Sequence, residues 1–167
     1  MGEFLKVSSR MVLLALLCLS GVYANEKADR YLRVGLEAHK HKNYLRALRN
    51  FQEAAKLGDA KASYNLGLMY KKGEGVSKKN YLRALQYFHK AGDLGDARGY
   101  YNLAVMYKYG TGVARDARMA RYYFQKACDL DRQDGCRDVE GSEPYQDQKM
   151  GSAKKSSGWF QSIFQED

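Results

Sequence analysis

Two residue pairs in this 167-residue chain have the types and spacing to grip an anion: Lys61 with Asn65, and Arg98 with Asn102. Each pair is spaced i, i+4, so a helix would set a cation one turn from an amide. Ammonium, guanidinium and amide groups all donate to acceptor oxygens, and together they suit a carboxylate. Tyr64 and Tyr101 adjoin the two asparagines. The plainer alternative is that both asparagines only hydrogen-bond backbone between helices. Catalytic patterns are weaker. The three histidines, His39, His41 and His89, lack the i, i+4 spacing of a helical metal pair, so no metal and no cofactor is expected. Past the N-terminal segment, the only Ser-x-x-Lys is Ser152–Lys155, among other lysines, with no Ser-Asp-Asn or Lys-Thr-Gly beside it. No catalytic residue is assigned.

The elements that must position these groups follow from a repeat. Asn-Tyr-Leu-Arg-Ala-Leu occurs at Asn43–Leu48 and again at Asn80–Leu85, 37 residues on. Tyr64–Tyr70 returns as Tyr101–Tyr107, and Gly73-Glu74-Gly75-Val76 as Gly110-Thr111-Gly112-Val113. A period in this range marks a solenoid. Within each period two antiparallel helices are predicted, the first (A) near Ala60–Lys71 and the second (B) near Tyr81–Leu94 in the middle unit. Ala84, Leu85, Phe88 and Ala91 form an apolar stripe on helix B. Gly67 and Ala104 on helices A, with Ala84 and Ala120 on helices B, allow close approach of the pairs, and Phe88 and Phe124 are expected to fill the gap to the following unit. Gly58 and Gly95 fit left-handed helix ends, and Asp59 and Asp96 fit N-caps. The Gly-x-Gly-Val loops lack the Gly-Lys-Ser/Thr of a phosphate loop and read as turns.

The expected fold is all-α: an α-solenoid of about three antiparallel helix-pair repeats (28–59, 60–96 and 97–133) followed by a flexible C-terminal tail. The chain opens with Lys6 and Arg10, the apolar run Val12–Leu19 and Ser20–Ala24, the pattern of a cleavable signal peptide cut after Ala24. The division is a signal segment at 1–24, a repeat domain at 25–140 and a tail at 141–167. The tail ends in an aromatic segment with Trp159, Phe160, Ile163 and Phe164, which could cap the repeats, dock a partner or touch a membrane surface. A periplasmic or secreted location follows. Without residues 1–24 the chain keeps 26 Lys+Arg against 18 Asp+Glu, a net charge of +8. For an exported protein that charge points to acidic peptides, anionic envelope polymers or membrane surfaces, and no nucleic-acid partner is expected. Cys18 leaves with the signal, so Cys128 and Cys136 remain. An even count in an exported chain favours a disulfide, with two buried free thiols as the alternative.

Leu66-Gly67-Leu68-Met69-Tyr70, the Gly73–Val76 loop, Arg83-Ala84 and Lys90-Ala91 resemble the Sel-one-like repeat, a relative of the tetratricopeptide repeat, over about Ala28–Val139. Lys126-Ala127-Cys128-Asp129-Leu130 with Gly135-Cys136 is similar to the Helicobacter-type cysteine-rich proteins built from that repeat, in which such a pair bridges adjoining helices. The two earlier junctions carry Ala55 with Ser63, and Gly92 with Tyr100, at the same two positions. The resemblance implies that helices A line a concave groove, with Arg33 of the first unit, Lys61, Tyr64 and Asn65 of the second, and Arg98, Tyr101 and Asn102 of the third facing inward. Related arrays clamp a peptide's terminal carboxylate with such residues. It therefore implies a scaffold for protein or peptide binding. The alternative it carries is a β-lactam-binding or weak β-lactamase protein.

Overall fold

The computed structural model describes residues 23–140, which form seven helices with no strand among them. They are α1 over 23–40, α2 Tyr44–Lys56, α3 Ala60–Lys72, α4 Tyr81–Asp93, α5 Ala97–Tyr109, α6 Ala117–Asp129 and α7 Gln133–Glu140. Nearly all of the expected signal segment, and the whole tail at 141–167, lie outside the described residues.

Local chemistry sets the helix starts. Asn43, Asp59, Asn80, Asp96 and Asp116 each accept a backbone N–H from the first turn of the helix that follows. Gly58 and Gly95 take φ of +88° and +91°, as expected, while the third unit places Asp131 there at +68°. Helices α3–α4 and α5–α6 pack in pairs, α1 meets α2 where Gly35 lies against Phe51, and α7, without a pair partner among the described residues, packs on α6. The core is a repeated stripe: Ala47, Phe51 and Ala54; Ala84, Phe88 and Ala91; Ala120, Phe124 and Ala127, all buried. Each buried phenylalanine contributes about 1.5–3 kcal/mol of apolar transfer.

The rings point differently from the expectation. Phe88 stands over Gly67 of its own unit, where an added Cβ would lie 2.5 Å from the ring, and Phe124 meets Tyr101 of its own unit at 5.4 Å. Phe51 meets Gly35 in the same way, at 2.7 Å. The helix-A glycine is a socket for the ring, so the ring closes its own pair. The step to the next unit is closed by backbone instead: a Cβ on Gly99 would collide with the Phe88 carbonyl.

Neighbouring units interlock at their loops. Gly75 lies against Tyr44 of the preceding unit, where a Cβ would stand 2.7 Å from the carbonyl oxygen, and Gly112 lies against Tyr81, where a Cβ would run into the start of the tyrosine side chain. The second glycine of Gly-x-Gly-Val is therefore a contact residue. His39 Nε2 and Glu74 Oε2, 2.8 Å apart, tie the first two units at the same level.

The three junctions between units solve one steric problem in three ways. Ala55 and Ser63 pair two small side chains, and Ser63, fully buried, donates its hydroxyl to the Asp59 carbonyl at 2.9 Å. Gly92 makes room for the ring of Tyr100, 2.5 Å from where its Cβ would be. Cys128 and Cys136 form a disulfide, with Cα atoms 4.7 Å apart. Of the two sequence alternatives for the thiols, the bridge is the one present.

Candidate functional site

The helix starts put the candidate residues in register. Lys61, Arg98 and Asp134 are each the second residue of α3, α5 and α7, and Asn65, Asn102 and Asp138 are each the sixth. The ladder thus has three rungs, two of cation and amide and a third of two carboxylates. Asp138 was not read from the sequence as part of this set, although the spacing that defines Asn65 and Asn102 contains it.

Each rung has its own bonding. Lys61 is exposed. Asn65 donates its amide to the Lys61 carbonyl at 2.8 Å, and Asn102 donates to the Arg98 carbonyl at 3.0 Å. The asparagines therefore bond backbone within their own helices and not between helices as the plainer alternative had it, and both remain half-buried. Arg98 is committed more heavily. It donates from Nε and Nη2 to the two oxygens of Asp96, at 2.8 and 2.6 Å, and lies over the Tyr64 ring at 4.2 Å. The Asp96 hydrogen bond raises the guanidinium pKa against its partial burial. Arg98 therefore joins the second unit to the third.

The next junction repeats that arrangement with the charges exchanged. Arg132 stands where Asp96 stood and Asp134 where Arg98 stood, yet a cation still covers the tyrosine: Arg132 lies over Tyr101 at 4.3 Å, with Asp134 3.3 Å from its Nη2. Tyr101 donates its hydroxyl to Asp138 at 3.1 Å, and Lys108 Nζ reaches the other oxygen of Asp138 at 3.2 Å. Burial first, then the bond to Asp138, holds the Tyr101 phenol above the ordinary tyrosine value. In the third unit Tyr101 is thus engaged by α7 and by the junction before it. Arg33 stands apart, exposed on α1 beside a shallow cleft lined by Tyr23, Glu26, Lys27, Asp29 and Arg30, a cleft that none of the other six candidates borders.

The Sel1 repeat model matches residues 35–59, 60–96 and 97–131, more than half of the chain. The chain belongs to the Sel1 repeat family. Among curated proteins it is 33% identical over 69 residues to "Putative beta-lactamase HcpC" of Helicobacter pylori, a match covering 41% of this chain and 24% of the relative. Among solved structures it resembles a Sel1 repeat protein from Oxalobacter formigenes, with TM-score 0.62 and 26% identity over 67% of this chain and 47% of that one. It also resembles Helicobacter pylori cysteine rich protein B, with TM-score 0.53 and 24% identity over 68% of this chain and 95% of that one, a likeness of fold. The chain spans about a quarter of the length of HcpC and about half that of the Oxalobacter protein. The name of the last of the three, a Helicobacter cysteine rich protein, is that of the group which the junction cysteines resemble.

Proposed function

We propose that this protein is an exported Sel1-repeat scaffold that holds an acidic protein or peptide against its row of helices A. The observation that carries the reading is the Asp138 carboxylate, held between the Tyr101 hydroxyl and the Lys108 ammonium. It supports the view that this wall accepts carboxylates, here one from the chain itself. Tyr64 and Lys71 occupy the corresponding places one unit earlier in the sequence, where the neutral Asn102 holds the position of Asp138. A partner's carboxylate would there take the role that Asp138 takes in the last unit. The Cys128–Cys136 bridge supports export, since such bonds persist in oxidising compartments.

Fluorescence anisotropy of a labelled acidic peptide tests the reading. The variant combining Lys61→Ala, Asn65→Ala, Arg98→Ala and Asn102→Ala should bind at least about tenfold more weakly, given the worth of charged hydrogen bonds. Equal binding by variant and wild type would reject it. The second reading, a β-lactam-binding or hydrolysing protein, rests on the name carried by HcpC. Turnover of nitrocefin by the purified, bridged protein would favour that reading over the scaffold.

A further inference from the structure

Helices A end and helices B begin along one edge of the solenoid, and the chain's positive charge is concentrated there. Residues 37–46, 69–83 and 106–118, which form that edge, hold eleven Lys and Arg against three carboxylates. The opposite edge, residues 53–61, 90–98 and 126–134, holds six against seven. Net charge alone therefore misdescribes the molecule: one edge is close to neutral and the other carries the excess. The seats of Gly75 on Tyr44 and Gly112 on Tyr81 keep the loops of successive units side by side, so the cations form one strip.

Nine of the eleven are exposed: Lys40, Lys42 and Arg46 from the first unit, Lys72, Lys78, Lys79 and Arg83 from the second, Arg115 and Arg118 from the third. Among the described residues Lys72 alone of the nine has a carboxylate oxygen within 4 Å, that of Glu74 at 3.8 Å. The same edge also carries exposed apolar groups beside its cations. Leu45 precedes Arg46 and is 63% exposed, Leu82 precedes Arg83 and is 51% exposed, and Tyr109 follows Lys108 at 69%.

We propose that this edge docks on an anionic lipid surface, with the lysines and arginines at the headgroup phosphates and Leu45, Leu82 and Tyr109 at the acyl boundary. Alternation of cation and apolar side chain along a strip is the pattern that an interfacial layer rewards, since each group meets its own solvent. An acidic polymer would satisfy the cations and leave the leucines in water. The edge is separate from the rungs of Lys61, Asn65, Arg98 and Asn102, so the proposal does not depend on the peptide-binding reading.

The test is sedimentation of the full chain with phosphatidylcholine vesicles, with and without phosphatidylglycerol. All variants keep both termini, so differences report the edge. Lys78→Gln, Lys79→Gln and Arg115→Gln together should weaken binding to anionic vesicles on the order of a hundredfold, at roughly fivefold per cation. The same charge change on the other edge, Lys56→Gln, Lys90→Gln and Lys126→Gln, should cost far less. Leu45→Ser with Leu82→Ser should reduce binding several-fold with thermal unfolding unchanged. Equal losses from the two edges, equal binding to uncharged vesicles, or indifference to the leucine changes would each overturn the assignment. Loss of polyglutamate binding by the first variant with vesicle binding intact would give the edge to an acidic polymer instead.

Discussion

At the scale of single residues, the junction positions show how one backbone geometry accepts unlike side chains. The space between helix B and the next helix A holds two small groups at Ala55 and Ser63, a ring on a glycine at Gly92 and Tyr100, and a covalent bond at Cys128 and Cys136. Gly92→Ala should therefore destabilise the protein by about 1–3 kcal/mol, since the ring has no second place to go; urea unfolding would measure it. Asp131→Gly should act in the other direction. Asp131 sits at φ +68°, where its two counterparts are glycines, and relief of a left-handed residue gives about 1 kcal/mol, less the entropy of the new glycine in the unfolded chain. A raised midpoint in the same titration is the expected result. The left-handed Gly58 and Gly95 were legible in the sequence because a helix end is local. The crowding at Gly75 was not, because Tyr44 is about thirty positions away and belongs to another unit.

At the scale of elements, α7 carries the most information. It is the start of a fourth unit, and the Cys128–Cys136 bond closes a short loop at its base. Closing a loop of this length contributes about 2–3 kcal/mol in the chain-entropy description. Cys128→Ser should therefore speed amide exchange and proteolysis in 133–139 while leaving α3 and α4 protected; unchanged protection at α7 would show that Asp138 and Arg132 suffice. The sequence placed helix ends to within one residue, α3 at Lys72 against the expected Lys71 and α4 at Asp93 against Leu94. Capping residues and turn glycines state those limits directly. The role of α7 was not legible, because nothing local in Asp134–Val139 announces that Asp138 will meet Tyr101 and Lys108, both far back in the chain.

At the scale of the whole molecule, stacked and buried tyrosines run through the solenoid. Tyr70 lies on Tyr87 at 5.4 Å, and the equivalent pair Tyr107 and Tyr123 at 5.7 Å. Burial, the first cause in each case, raises the phenol pKa of Tyr87, Tyr100, Tyr101, Tyr107 and Tyr123 above the ordinary value near 10. Below that pH the phenols are neutral in both folded and unfolded chains, and the stability they lend is fully present. Above it the unfolded chain loses protons first, so stability falls as pH rises. Thermal midpoints should hold below pH 10 and drop beyond it, with the phenolate absorbance of these five tyrosines appearing together with loss of helix; their titration in a chain that stays folded would contradict this. The repeat, its paired helices and the all-α class were legible from period alone, since they follow from sequence self-similarity. The charge asymmetry between the two edges was not, because it depends on knowing which ends of the helices share a side.

Gly112 seats on Tyr81 and Gly75 on Tyr44, the same two residues of the repeat one unit apart, through side chain in the first case and backbone in the second. A 37-residue block therefore brings its own plug and its own socket. Duplicating residues 60–96 in the gene would lengthen the protein without inventing a new interface, while the bridged end piece would go on serving as the stopper.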